Sequence, residues 1–155
     1  TFKTSVELLR RVTTVPAVAV LAFFDAAVFN LIVGNADAHG KNFSLLYQPG
    51  GVTLAPFYDL LSTIAYPDLS PNLAMKIAKR ATLGEIGSET WSDFAQDLGL
   101  AAPFVRRRVR ELAEAVRNEV PTLPDRPAFA ALNIAAVRDY ATRIASRAER
   151  VARTV

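Results

Sequence analysis

The residues of this chain that are best suited to chemistry stand close together between two apolar segments. Asp37, His39, Lys41 and Asn42 fall within a single short stretch, and a further acidic residue, Asp59, follows after one predicted hairpin. Ionisable and amide side chains are seldom placed so densely beside a core unless they handle a charged ligand. The pattern therefore predicts a site for a charged molecule in this part of the chain.

The order of these side chains meets the needs of phosphoryl transfer. That reaction requires an acceptor hydroxyl held in line and a transferring group whose charge is neutralised. Asp37 can orient the hydroxyl and accept its proton. Asn42 and Asp59 supply oxygen ligands of the kind that Mg²⁺ binds, and a hairpin between them would bring both to one ion. Protein kinases show the same order of an aspartate, an asparagine five residues later, a hairpin and a second aspartate.

The two cationic side chains of the stretch have less defined roles. His39 stands two residues after Asp37, a place from which a basic side chain can contact the γ-phosphate or the nucleotide, and Lys41 stands two positions further on. His39 can donate a hydrogen bond to phosphate or orient the loop. The sequence leaves both roles open.

Each residue alone also has a purely structural interpretation. Asp37 can close a turn, because aspartate side chains often bond to nearby backbone amides. Asn42 can satisfy loop backbone groups, Asp59 can cap a helix, and His39 can be an ordinary loop histidine. Their combination around one hairpin favours the interpretation as a catalytic site.

The elements that are predicted to position these residues are mostly helices. The segment from Pro16 to about Val33 predicts a buried helix that Gly34 ends, so that residues 35–42 form a polar loop. The fold class is predicted to be mainly α, a helical bundle with a small β-hairpin after the catalytic loop, in one domain over residues 1–155. The other predicted elements are strands at 43–47 and 52–54, helices at 5–12, from 88 or 90 to 98, 103–120 and from about 132 onwards, and an irregular segment at 62–88 with a short ordered piece near 73–77.

Composition excludes several classes of site and protein. The chain has 155 residues of which 51% are apolar, enough for one core, and it has no cysteine, which excludes disulfides and thiolate metal sites. The apolar run at 15–33 approaches the length of a membrane span, but Pro16, Asp25 and Asn30 interrupt it. It therefore predicts a core helix and no membrane association, and the absence of cysteine suits the cytoplasm.

An arginine-rich patch lies in the second half of the chain. Its members are Arg106, Arg107, Arg108 and Arg110. The patch is interpreted as a solvated helix face with nearby acids, and a phosphate-contacting surface for nucleic acid is the alternative.

Three blocks of sequence together resemble a known family. They span 34–46, which includes the Asn-Ala-Asp-Ala-His-Gly-Lys-Asn string, 54–62, which includes Tyr-Asp-Leu-Leu, and 73–77, with Leu-Ala-Met-Lys-Ile. In this order and spacing they resemble the C-terminal domain of HipA-type toxins, the serine/threonine kinases of bacterial toxin–antitoxin pairs. The strings Asn-Ala-Asp and Asp-Leu-Leu stand where eukaryotic kinases have His-Arg-Asp and Asp-Phe-Gly, and both differences fit the HipA-type pattern.

The resemblance implies specific roles for residues and partners. Asp37 matches the catalytic aspartate, Asn42 and Asp59 match the Mg²⁺ ligands, and His39 and Tyr58 match positions near the ATP. It also implies phosphorylation of a protein substrate of the translation apparatus, growth arrest or persistence, and neutralisation by a helix-turn-helix antitoxin that binds operator DNA.

A kinase also needs an N-terminal lobe with a phosphate-covering loop and a lysine on a strand. The residues before Thr13 predict only one short helix, so the chain is interpreted as an isolated C-lobe with little kinase activity of its own. Two alternatives stay open: a non-catalytic module that holds an antitoxin or DNA, and a small-molecule phosphotransferase related to aminoglycoside kinases.

Overall fold

The long apolar segment forms the central helix of the structure. The structure, a computed structural model, describes residues 1–66 and 68–155. Its central helix, α2, spans Pro16–Val33, starts with a proline whose missing N–H costs nothing there, and ends at Gly34 with φ 77°. By length and hydropathy this helix could cross a membrane, yet 61% of it is buried inside the protein. It is a core helix, as predicted.

The other elements surround α2, and the fold is mainly helical, as predicted. Two buried aromatic rings of α2 anchor the core: Phe24 packs against Phe94, whose ring also contacts Trp91, and Phe23 packs against Phe2 and Phe43. The remaining α-helices and strands are α1 at Phe2–Val12, β1 at Leu45–Gln48, β2 at Gly51–Leu54, α3 at Ser88–Leu98, α4 at Ala102–Glu119 and α5 at Ile134–Ala152. Short 3-10 helices lie at Gly40–Asn42, Thr63–Ala65, Leu83–Glu85, Val120–Asp125 and Pro127–Phe129.

The hairpin is attached to the linker between α1 and α2. Strands β1 and β2 pair antiparallel, with Leu45 opposite Leu54 at the open end. On the outer side of β2, the Thr14 amide donates to the Val52 carbonyl and the Val52 amide donates to Thr14 Oγ1, each over 2.8 Å. This attachment holds the hairpin beside the N-terminal part of α2, so the open end faces the loop that follows α2.

Between the hairpin and α3 the chain is irregular, as predicted, and residue 67 lies outside the described residues. The described part contains 3-10 turns and the isolated bridge between Ile77 and Arg80. The Leu73 amide N–H donates to the Ala81 carbonyl over 2.7 Å, and the Ala74 amide N–H donates to the Ala36 carbonyl over 2.8 Å. The predicted ordered piece at 73–77 is therefore held by backbone bonds on both sides, one of them to the polar loop.

The arginine-rich patch lies on α4 and is largely engaged in contacts within the chain. Arg108 donates to both carboxylate oxygens of Asp25 on α2, over 3.0 and 2.8 Å, and this bond to Asp25 raises the pKa of its guanidinium. Arg107 and Arg108 both approach Glu111. Such pairing fits the interpretation as a helix face with nearby acids.

Candidate active site

The buried amide of Asn35 is the centre of the candidate site. Its Nδ2 donates to Asn30 Oδ1 in the last turns of α2 and to the backbone carbonyl of Asp59, both over 3.0 Å. Its Oδ1 accepts the amide N–H of Asp37 over 3.2 Å. Only 2% of Asn35 is exposed, so these bonds form away from water, where an unsatisfied amide would be costly. One side chain thus fixes the two candidate aspartates relative to the core helix.

Thr63 braces the start of the polar loop from the other side. Its hydroxyl donates to the Gly34 carbonyl over 2.8 Å and accepts the Ala36 amide N–H over 3.0 Å. The Thr63 amide also donates to Gly34 over 3.0 Å. With the bond from Ala74 to the Ala36 carbonyl, the loop is held by two segments that lie far along the chain.

Asp37 lies at the surface with its carboxylate accessible. Its side chain is 65% exposed, and the imidazole of His39 lies beside it, with Nε2 3.7 Å from Asp37 Oδ1. The other ring nitrogen of His39, Nδ1, contacts Asn42 Oδ1, which also accepts the His39 amide N–H over 2.9 Å. His39 therefore stands between the candidate catalytic carboxylate and the candidate metal ligand.

The hairpin brings Asn42 and Asp59 together, as the spacing predicted. Asn42 Nδ2 contacts Asp59 Oδ2 directly, although the two residues lie 17 positions apart. Asp59 adopts φ 56°, a left-handed conformation that costs most residues energy and that aspartate and asparagine tolerate better than others. The hydrogen bond from Asn35 to its carbonyl holds this backbone in place.

Tyr58 and Lys41 meet on the outer side of the same hairpin. The Tyr58 hydroxyl donates to the backbone carbonyl of Lys41 over 2.8 Å and lies 2.8 Å from Ser44 Oγ. Its ring is exposed. Lys41 is also exposed, and among residues 1–66 and 68–155 its ammonium group forms no hydrogen bond or ion pair. The structure therefore brings Asp37, His39, Asn42 and Asp59 into contact and leaves Lys41 and Tyr58 at the rim.

The donor set suits a magnesium ion better than a tightly caged metal. The described part of the chain holds no group of three His, Cys, Asp or Glu side chains that could enclose a metal. Mg²⁺ is usually bound by one or two carboxylates and keeps several waters. Asp59 is exposed, has no cationic partner among the described residues and contacts Nδ2 of Asn42, an amide whose oxygen is a second hard ligand once it is turned toward the ion. These residues fit the ion.

Sequence reasoning missed three residues that build this site. Asn30 was predicted only as an interruption of the apolar run, Asn35 as part of a polar loop, and Thr63 as part of an irregular segment. The available signal was the polar character of Asn30, in a helix whose only other polar side chain is Asp25, and of Asn35 just after that helix. Their bonding partners could not be read from the sequence, because Asp59 and Thr63 reach the loop only in the fold.

Comparison with known proteins identifies relatives of the whole chain. The family model described as "HipA-like C-terminal domain" matches residues 1–121. The chain is 49% identical over 151 residues to the "Putative kinase Y4mE" of Sinorhizobium fredii, covering 97% of this chain and 36% of that protein. It is 34% identical over 132 residues to the "Serine/threonine-protein kinase toxin HipA" of Shewanella oneidensis, covering 80% of this chain and 29% of that protein. The chain thus spans about a third of the length of these relatives.

A solved structure shows the same architecture. The structure of the Shewanella oneidensis toxin–antitoxin complex of HipA, HipB and operator DNA matches with a TM-score of 0.86 and 29% identity, over 100% of this chain and 38% of that chain. The helical architecture with its small hairpin is therefore that of a HipA protein. With the family model covering most of its length, the chain belongs to the HipA-like C-terminal domain family.

Proposed function

We propose that the chain is the C-terminal catalytic lobe, one domain over residues 1–155, of a HipA-type serine/threonine protein kinase. The reaction is transfer of the γ-phosphoryl group of ATP to a serine or threonine hydroxyl of a protein. The observation that carries this proposal is the convergence of Asp37, Asn42 and Asp59 at the open end of one hairpin, through the buried amide of Asn35. A purely structural loop would not need two carboxylates held so close to an amide.

Asp37 is proposed as the residue that orients the acceptor hydroxyl and accepts its proton. Its carboxylate is exposed and carries no strong ion pair, so an incoming hydroxyl can reach it. The Asn35 bond to its amide fixes the backbone from which the carboxylate projects. Positioning of this kind supplies much of the catalysis in phosphoryl transfer, where little covalent chemistry is left to the protein.

Asn42 and Asp59 are proposed to hold Mg²⁺. The ion would neutralise charge on the phosphates of ATP while the phosphoryl group moves. The amide of Asn42 is already fixed by His39 on one side and by Asp59 on the other. In this arrangement Asn42 Nδ2 faces Asp59 and Oδ1 faces His39, so the amide must turn over to present its oxygen to an ion at Asp59.

His39, Lys41 and Tyr58 are proposed to contact ATP. His39 presents Nε2 at the surface beside Asp37, where it can donate to a phosphate oxygen. The exposed ammonium group of Lys41 offers a second positive charge on the same loop, and the exposed ring of Tyr58 offers an apolar face beside the hairpin.

The proposed setting is a bacterial toxin–antitoxin system in the cytoplasm. The solved relative was determined with HipB and operator DNA, which supports an antitoxin partner and DNA contact through that complex. We propose that this antitoxin is of the helix-turn-helix type. The proposed consequence is growth arrest or persistence through phosphorylation of a component of the translation apparatus. No membrane is involved.

Transfer of labelled phosphate tests the activity. We expect the complete kinase, with a nucleotide-binding lobe joined to this chain, to label protein serine or threonine in the presence of ATP and Mg²⁺, and to lose that labelling in EDTA. The isolated chain should label protein very weakly, because residues 1–66 and 68–155 form no N-terminal lobe with a phosphate-covering loop. Labelling of a small molecule alone, or ordinary kinase rates from the isolated chain, would contradict this proposal.

The metal role of Asp59 has its own test. Asp59→Asn keeps a side chain that tolerates the left-handed backbone but removes the charge, so we expect Mg²⁺ affinity to fall by about tenfold or more. Broadening of the residue 42 and 59 amide signals by Mn²⁺ in NMR spectra of the chain would measure this without any kinase assay. Asp125→Asn removes the same charge from an exposed, remote aspartate and should leave the broadening unchanged. Equal broadening in both variants would exclude Asp59 as a ligand.

A further inference from the structure

A groove leads away from Asp37 toward the last turns of α5. Its first part is a cavity of about 430 Å³, lined by Asp37, Leu61 and Asn72 among others. Its second part is a cavity of about 540 Å³ that reaches Arg147 and Arg150. Four residues line both cavities, so they form one continuous surface: Ala36, Thr63, Leu69 and Ser70.

The arginines at the far end of this groove differ from their neighbours. Arg138, Arg143 and Arg153, on or next to the same helix, each pair with a carboxylate, those of Asp125, Asp139 and Glu149 respectively. Arg147 and Arg150 line the groove, and neither lies within 4.0 Å of a carboxylate among residues 1–66 and 68–155. The groove therefore ends at two arginines that have no carboxylate partner among the described residues.

Although it has no carboxylate partner, the guanidinium of Arg147 is held by backbone carbonyls of α2. Its Nη2 donates to the Leu31 carbonyl over 2.9 Å and its Nε lies 3.4 Å from the Ile32 carbonyl. Burial lowers the pKa of its guanidinium, and the nearby charge of Arg150 lowers that pKa further. A like-charged pair of this kind is unfavourable until an anion lies against it, and a fixed guanidinium loses little entropy when it binds a carboxylate.

From the groove and its two arginines we infer that the chain recognises an acidic residue of its acceptor polypeptide. The inference rests on the proposed kinase function: the acceptor hydroxyl lies at Asp37, and the neighbouring segment runs along the groove to Arg150 and Arg147. Between these ends the walls combine hydroxyl side chains with exposed apolar ones, Tyr66 60% and Leu69 52% exposed, which offers contact surface to side chains of an extended segment. Acceptors with a glutamate or aspartate a few residues from the serine or threonine are thus preferred.

Peptide binding to the 155-residue chain tests the charge preference directly. The probes are short, otherwise uncharged fluorescent peptides with a central serine. In each peptide one glutamate occupies a different position before or after the serine, and a matched peptide carries glutamine at that position. Charge-assisted hydrogen bonds predict that glutamate at the favoured position tightens binding about tenfold. Arg150→Gln should remove that advantage and leave the glutamine peptides unaffected. Arg143→Gln, with the same change in net charge on the same helix, should preserve it.

A second variant tests the location of the peptide. Gly84 lines the groove, its backbone is not left-handed, and a Cβ there would meet nothing closer than Thr82 Oγ1 at 3.8 Å. Gly84→Leu should therefore fold normally and block the binding of glutamate and glutamine peptides alike. Gly50→Leu, in the turn between β1 and β2, should leave the binding of both peptides unchanged.

Three outcomes would overturn the inference: no preference for glutamate, an equal loss in Arg143→Gln, or unchanged binding in Gly84→Leu. Arginine-dependent binding of duplex DNA without any peptide preference would also overturn it. Because these measurements need no phosphoryl transfer, a failure of the proposed activity would appear separately, as a complete kinase that binds the acidic peptides but does not phosphorylate them.

Discussion

Asp37→Asn is expected to lower phosphoryl transfer by the complete kinase about 10²–10⁴-fold, the usual contribution of a positioned proton acceptor. Asparagine has nearly the same shape but cannot take the proton of the acceptor hydroxyl. Among the described residues the Asp37 carboxylate approaches His39, at 3.7 Å, and its backbone amide is held by Asn35, so the loop should keep its conformation. The rate of a single turnover with labelled ATP measures the effect.

The controls for this variant separate chemistry from folding. Asp125→Asn carries the same charge change at an exposed position and should retain full activity. The Asp37→Asn protein should have the same melting temperature as the wild type, and it should bind Mg²⁺ with the same affinity because Asn42 and Asp59 are unchanged. A variant that turned over at the wild-type rate would show that Asp37 is a turn residue and that another group accepts the proton.

Gly34→Ala is expected to reduce the free energy of unfolding by about 2–5 kcal/mol, through backbone strain and overpacking together. Gly34 has φ 77°, and an added Cβ would lie 2.5 Å from Ile64 Cγ2 and 2.9 Å from Arg147 Nε. Neither neighbour can move freely: Ile64 lies in the 3-10 turn with Thr63, and Arg147 is bonded to the end of α2. Denaturant unfolding of the chain measures the loss.

Gly40→Ala is the matched control, since Gly40 lies in the same loop without a left-handed backbone and a Cβ there would meet nothing within 4 Å. Its effect should stay within about 0.5 kcal/mol, as for most surface substitutions. Similar losses in the two variants would mean that the loop tolerates a side chain at Gly34, and that the close contacts with Ile64 and Arg147 relax.

Features set by local sequence could be predicted, and those set by distant contacts could not. Pro16 and Gly34 mark the ends of α2 because each acts on its own backbone, and the turn residues around Gly50 mark the hairpin. The helix at the N-terminus starts at Phe2 instead of Ser5, because Thr1 accepts the Thr4 amide and caps it. The final helix starts at Ile134, where Asn133 caps it in the same way.

The candidate site divides along the same line. The positions of Asn42 and Asp59 at the two ends of the hairpin predicted that their side chains would meet, because a hairpin must return the chain to its start. Asp37 connects to them through His39. The supporting residues were beyond the sequence. Asn35 reaches the Asp59 backbone and Thr63 braces Gly34 only because a long irregular segment folds back over the end of α2, and no short-range pattern encodes that path.

The attachment of Thr14 to Val52 also bears on self-association of the protein. Unpaired strand edges invite pairing with other chains, and in a two-stranded sheet both strands are edge strands. Because Thr14 takes both the amide and the carbonyl of Val52, the free margin of β2 is already occupied, and Gly51 beside it leaves no room for a side chain there. Pairing of this hairpin with a strand of another molecule is thereby directed to β1, on the opposite edge of the sheet.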